Sequence, residues 1–175
     1  MKKIFLFTLL MFTTTFFSAA QEINKKESSV VFKAVNMEIN TVKGVIKGFS
    51  GTINFSPDNL SNAKISVCID AKTINTGNDK RDEHLRSADF FEVEKYPKIC
   101  FTSTKIIKKE ENYLAKGTLT MHGVSKEVKV PLIYKDNSLS GKITLQRLDF
   151  KIGEDTGGFM VSKEIEVRIL CQFKG

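Results

Sequence analysis

The sequence predicts an all-β fold of about eight antiparallel strands, with one short helical insertion between the third and the fourth. Three observations predict it. Apolar and polar residues alternate with period two through most of the chain, the pattern of strands that bury one face. Short polar turns separate the alternating runs, which suits antiparallel neighbours. One stretch, residues 76–97, breaks the alternation with a dense charge run, TGNDKRDEHLRSADFFEVEKYP, that closes on Phe90, Phe91, Tyr96 and Pro97. Most connections in compact domains are only a few residues long, so a connection of this length is expected to cap a core or gate a cavity.

The N-terminus stands apart. Lys2 and Lys3 precede an apolar run from Ile4 to Phe17, and Ser18-Ala19-Ala20 supplies the small residues of a cleavage site. Residues 1–20 therefore read as a secretory signal peptide removed near Ala20/Gln21, with the protein expected in the periplasm or secreted. The apolar run falls short of the ~20 residues that a membrane-spanning helix needs. Residues 21–175 are then expected to form one domain around one core.

Val30, Phe32 and Ala34 alternate with Val31 and Lys33 as the first strand. Residues 41–55 are long for a flat strand. Val42, Gly44, Ile46 and Gly48 share one phase, whereas Phe49, Gly51, Ile53 and Phe55 share the other. A one-residue slip reverses every side chain, so a bend or bulge is expected at Gly48-Phe49. Pro57-Asp58-Asn59 turns the chain into Ala63, Ile65, Val67 and Ile69. In the insertion, Asp79 is the candidate N-cap of a helix over residues 80–86, with Leu85, Phe90 and Phe91 facing inward. Ile99 and Phe101 resume the alternation, followed by Tyr113, Ala115, Gly117, Leu119 and Met121. His122-Gly123 makes a tight turn. Val124, Val128, Val130, Leu132 and Tyr134 share a phase broken at Lys126, and Leu139, Gly141, Ile143 and Leu145 follow. Ile165, Val167, Ile169, Cys171 and Phe173 close the chain.

Strands with one apolar face either pack as two sheets or close into a barrel. A barrel of this size has room for side chains or one small ligand. Gly44, Gly51, Gly117 and Gly141, on the inward phase, remove interior volume and permit sharp coiling, which favours a barrel around an elongated apolar cavity. The same glycines would equally allow bends over a filled core.

Net charge is +7, from 27 basic and 20 acidic residues, and loss of the leader removes two lysines. No basic stripe is interleaved with aromatics, so nucleic acid is not an expected partner. The excess of lysine suits an ordinary soluble surface or transient contact with anionic lipid head groups. Cys171 falls on the buried phase of its strand, while Cys68 and Cys100 lie opposite the apolar phase, and whether they pair is left open. Their spacings match no zinc pattern. His84 and His122 are far apart, and the chain contains no nucleophile elbow, HExxH, P-loop or dinucleotide fingerprint. The expectation is therefore a non-enzyme without a cofactor.

From residue 41 onward a series of short motifs runs the length of the chain: Thr41-Val42-Lys43-Gly44, Phe49-Ser50-Gly51-Thr52-Ile53, Thr76-Gly77-Asn78, and the run from Arg81 to Phe91, RDEHLRSADFF. It continues through Lys95-Tyr96-Pro97, Gly117-Thr118-Leu119-Thr120, Gly123-Val124, Arg147, Asp149-Phe150, Val161-Ser162 and Glu164-Ile165. In these motifs and their order the chain resembles the YceI-like family of lipid-binding, or polyisoprenoid-binding, proteins. The resemblance implies an exported, eight-stranded antiparallel lipocalin-like β-barrel that sequesters or carries an isoprenoid lipid, of the quinone or polyprenyl phosphate type. The chain departs from the family pattern where Glu27 precedes Ser28, at Asn36, and at Lys151, where the family commonly has glycine.

On that reading the inward phase supplies the cavity lining: Phe32, Phe49, Ile53, Phe55, Ile65, Val67 and Ile69 from the first half, Phe101, Leu119 and Met121 from the middle. Val128, Val130, Ile143, Leu145, Ile165, Val167 and Ile169 complete it. Arg147 continues the inward phase of its strand. It either meets a phosphate or quinone oxygen at the mouth or, as preferred, pairs with Asp149 or a carboxylate of the insertion. His84, Phe90 and Phe91 are the further lid or head-group candidates, with salt bridges that fix the lid preferred for His84. The alternative function is an exported interaction or structural module with a filled core and no ligand. A homodimer is left open.

Overall fold

The structure is a computed structural model and is described for residues 20–36, 40–158 and 160–175. The expected leader, residues 1–20, lies outside these described residues apart from Ala20. Among them the alternating segments form nine strands: β1 (Ser29–Asn36), β2 (Asn40–Ile46), β3 (Ser50–Asn54), β4 (Lys64–Asp70), β5 (Lys98–Lys109), β6 (Asn112–Met121), β7 (Val124–Lys135), β8 (Ser138–Gln146) and β9 (Glu164–Gln172). All neighbours are antiparallel, in the order β2-β1-β9-β8-β7-β6-β5-β4-β3. This is the curled, lipocalin-like sheet that the alternation and the resemblance pointed to.

The strand count exceeds the expected eight because residues 41–55 make two strands. β2 and β3 are consecutive in the chain yet occupy opposite edges of the sheet. Residues 47–49 therefore cross from one edge to the other, and the sheet must curl until its edges approach. The phase switch at Gly48-Phe49 is this corner. Gly48 has φ +76°, and a β-carbon there would lie 2.8 Å from Asp70 Cβ, so glycine is required on both counts. The two edges do not pair with each other. On the β2 edge, Val45 and Asn75 exchange backbone bonds of 2.8 and 3.0 Å, and Lys47 N–H donates to Thr73 Oγ1 at 2.8 Å. On the β3 edge, Gln21 N–H donates to Ile53 O at 2.8 Å. Loop residues, through backbone and the Thr73 hydroxyl, thus satisfy edge groups that would otherwise template aggregation.

The inward glycines serve one of the two roles expected of them, the coiling, and not the other. A β-carbon on Gly117 would meet Thr102 O at 2.3 Å, and one on Gly141 would meet Pro131 O at 2.9 Å. Gly51 has φ +111° and abuts Ser66 O. These glycines let neighbouring strands approach closely and coil, and they leave no space of their own. Gly117 sits opposite a register shift between Ser103 and Lys105, where buried Ser103 accepts a 2.8 Å bond from Ile65 N–H through Oγ.

The insertion folds as helix α1 (Asp79–Arg86). Its N-cap is Asn78, one residue before the expected Asp79; the Asn78 side chain accepts from Arg81 N–H at 3.0 Å. Asp82, only 2% exposed, accepts from the backbone N–H and hydroxyl of Thr76, and Arg86 donates to Ile74 O at 2.9 Å. The charged run therefore clamps the helix to the segment before it. Cys68 and Cys100, direct cross-strand partners on β4 and β5, form a disulfide, while Cys171 is a buried free thiol. Burial raises the Cys171 pKa to about 11.

Candidate functional site

The inward side chains of the curled sheet do not fill it. They enclose a cavity of about 220 Å³ whose wall is almost wholly apolar. Every residue expected on the wall lines it except Phe55. Phe55 packs at the end away from the insertion, edge-on to Tyr113 at 4.9 Å and tilted against Tyr134 at 5.4 Å. These rings make an aromatic floor, so Phe55 closes the interior from below.

The wall also includes residues that the expected set lacked. Val30, Ala34, Leu132, Leu139 and Cys171 continue the inward phases already read, and extending the period-two pattern by one position would have found them. Ile46 and Phe49 both face the cavity because the chain turns its corner between them. Ile152 and Val161 come from the irregular segment after β8, where no periodicity marks an inward residue.

The opposite end is closed by the insertion. Leu85, Phe90 and Phe91 reach the cavity, and Phe90, 6% exposed, packs in a small cluster with Met121, Phe150 and Ile152. Backbone bonds from Phe91 N–H to Leu85 O at 3.0 Å and from Glu92 N–H to Ser87 O at 2.8 Å fold the segment back on α1. Tyr96 lies against Gly123, where a β-carbon would meet its ring at 2.7 Å. His122, on the same turn, faces Phe150 O through Nδ1 at 3.1 Å and the Glu92 carboxylate through Nε2 at 3.6 Å. The plug is therefore fastened both to the β6–β7 turn and to its own helix. His84 is not part of the cavity wall: it is exposed, 3.2 Å from Asp89 and edge-on to the Phe90 ring.

Arg147 borders the cavity, is 4% exposed, and holds neither of the partners expected for it. No described carboxylate forms an ion pair with it. Nε donates to Ser162 O at 3.1 Å, Nη1 to Ile152 O at 2.8 Å and to Gly153 O, and Nη2 to Thr156 O at 2.6 Å and Val161 O at 3.2 Å. A guanidinium has five N–H donors. All are taken by backbone carbonyls of residues 152–162, so Arg147 organises that loop and has no donor left for a head group. Burial lowers its pKa from the usual value. Lys151, at the head of the loop, adopts φ +56°, the left-handed conformation that glycine takes without strain.

Among the described residues no cluster of His, Cys, Asp and Glu is arranged to hold a metal ion, and the ionisable side chains on the wall are Arg147 and Cys171. Such a wall can exclude water and hold hydrocarbon by contact and shape.

Comparisons with known proteins agree with this architecture. The YceI-like domain model matches residues 21–173. The chain is 34% identical to Protein YceI of Salmonella agona over 180 aligned positions, covering 94% of this chain and 92% of that one. It superposes on a YceI protein from Campylobacter jejuni with a TM-score of 0.68 at 27% identity, covering 100% and 99% of the two chains. Two more distant structures share the fold. BcnA of Burkholderia cenocepacia has a TM-score of 0.78 at 21% identity, covering 86% and 98%. A polyisoprenoid-binding domain from Saccharophagus degradans, implicated in plant cell wall breakdown, has a TM-score of 0.69 at 17% identity, covering 89% and 98%.

Proposed function

This chain belongs to the YceI-like family, and from that premise we propose that it is an exported lipid-binding protein that sequesters or carries an isoprenoid lipid in its cavity. The observation that carries this reading is the apolar cavity, stoppered by Phe90 and Phe91. Burying a methylene from water contributes about 0.8 kcal/mol, so a prenyl tail gains strongly over the aqueous phase. A bilayer already keeps the tail dry, so the gain over a membrane is close to nil and exchange in both directions is feasible. Selectivity then rests on cavity length and fit to a branched chain. The polyisoprenoid-binding neighbour supports the lipid class. Export to the periplasm or the medium rests on the leader-like residues 1–20.

Extraction of the purified protein into organic solvent, followed by mass spectrometry, tests the proposal. The expected result is a prenyl lipid at near-stoichiometric amount, and the head group read from its mass separates the quinone from the polyprenyl phosphate type. A protein that carries no lipid and takes none up from prenyl-lipid vesicles would overturn it in favour of a lipid-free interaction module.

A further inference from the structure

The outer face of β5, β6 and β7 carries a row of like charges. Lys105 is the direct cross-strand partner of Lys116, and Lys116 of Lys129. Adjacent strands run about 4.8 Å apart, so three ammonium-bearing side chains stand side by side. All three are exposed, and they alternate with buried neighbours such as Ala115 and Val130, so they point away from the cavity. None makes an ion pair with a described residue. The acid on the same face, Glu127, stands opposite Thr118 in the next row. Like charges directly opposite one another destabilise a sheet, and no described carboxylate pairs with any of the three to offset this.

The row on the other side is apolar. Ile107 pairs with Leu114, and Leu114 with Pro131; just beyond, Ile133 is 52% exposed. A cationic row beside an apolar row matches the chemistry of an anionic bilayer surface, with phosphates for the ammonium groups and hydrocarbon for the apolar side chains. A polysaccharide or nucleic acid would leave the apolar row unused. We infer that this face docks the barrel side-on to anionic lipid membranes. The inference rests on the lipid-carrying reading, which requires the protein to meet the bilayer that supplies or receives its cargo.

The test is sedimentation of the purified protein with vesicles of phosphatidylcholine alone and of phosphatidylcholine mixed with phosphatidylglycerol. The protein is expected to bind the mixed vesicles, more weakly as salt is raised. Each Lys→Gln change at 105, 116 or 129 is expected to weaken binding about fivefold, and the three together about a hundredfold. The corresponding triple Lys→Arg variant should retain binding. Lys116→Glu should lose binding while its unfolding midpoint holds or rises, since it replaces two repulsions by two attractions; this separates lost docking from lost folding. Equal binding of the triple Lys→Gln variant, equal binding to neutral vesicles, or retention on a heparin column with no vesicle binding would each overturn the inference. Extractable lipid, measured in parallel, reports on the cavity. A lipid-free protein that still shows lysine-dependent vesicle binding would sink the proposed cargo and leave the docking surface standing.

Discussion

The ring of Phe32 lies across Gly44, its direct partner on the adjacent strand: a β-carbon on Gly44 would sit 2.2 Å from Phe32 Cζ and 2.9 Å from Thr76 Cγ2. The missing side chain at 44 is therefore what allows a large ring to lie flat against the wall instead of projecting into the cavity. Phe32 lines the cavity at this point, and Gly44 sets where its ring can lie.

Gly44→Ala should accordingly displace the ring. We expect a loss of about 1–3 kcal/mol, typical of overpacking, read by denaturant unfolding. Pairing it with Phe32→Leu should recover part of that loss, giving a non-additive double-mutant cycle. Additive effects would show that the two positions do not compete for the same space.

Arg147→Lys should behave as a severe change despite retained charge, because an ammonium offers three donors where five carbonyls need them. The expected loss is about 2–4 kcal/mol, with hydrogen exchange accelerated across residues 152–162. A variant with native protection in that segment would contradict the role given to the guanidinium.

Lys151→Gly relieves a left-handed conformation that costs a residue with a β-carbon roughly 1 kcal/mol. Glycine's greater freedom in the unfolded chain offsets about 0.4–1 kcal/mol of that relief, so stability is expected to rise by at most about 0.5 kcal/mol, seen as a slightly higher denaturant midpoint. A fall would mean that the Lys151 side chain contributes more than its backbone strain costs.

Glu166 sits between Lys142 at 2.7 Å, Arg168 Nε at 3.0 Å and Lys33 at 3.5 Å. Its hydrogen bond to Lys142, with further help from Arg168 and the charge of Lys33, lowers its pKa from 4.5 to about 2. A depressed carboxylate stabilises the fold above its unfolded pKa, and that contribution is lost as pH falls from about 4.5 towards 2. Glu166→Gln should flatten the acid limb of the stability profile in that window, and added salt should shrink the difference from the parent.

The Cys68–Cys100 bridge spans a sequence separation of 32, which on loop-entropy grounds contributes about 3–4 kcal/mol. Reduction should lower the unfolding midpoint accordingly. Cys171 should not intercept the bridge, because burial raises its pKa to about 11 and keeps it a thiol at neutral pH. Appearance of disulfides to Cys171 in the folded protein would contradict that.

The strand pattern and most of the wall were legible in the sequence for one reason: in a sheet, the face a residue occupies follows from its parity along the strand. Phe32, Ile53, Val67, Leu119 and Val167 could be placed on one surface with no knowledge of their partners. The reading failed where parity carries no information. Phe55 has the inward phase but lies past the end of β3, at the floor. Ile152 and Val161 reach the cavity from an irregular loop. Gly44, Gly117 and Gly141 looked like vacancies, although each faces atoms brought in from a neighbouring strand.

By itself the sequence determined that this chain makes antiparallel strands with one apolar face and a charged insertion, because alternation, turn residues and the run at residues 81–91 are local properties of the chain; the choice of a curled sheet over two packed ones came only with the family resemblance. Only the tertiary structure decided that residues 41–55 divide between the two edges of the sheet, that Cys68 meets Cys100, and that Arg147 spends its donors on five carbonyls. It also decided that Lys105, Lys116 and Lys129 stand in one row. Each of these depends on register between strands distant in sequence, and register is set by the packing of the whole sheet rather than by any one segment of it.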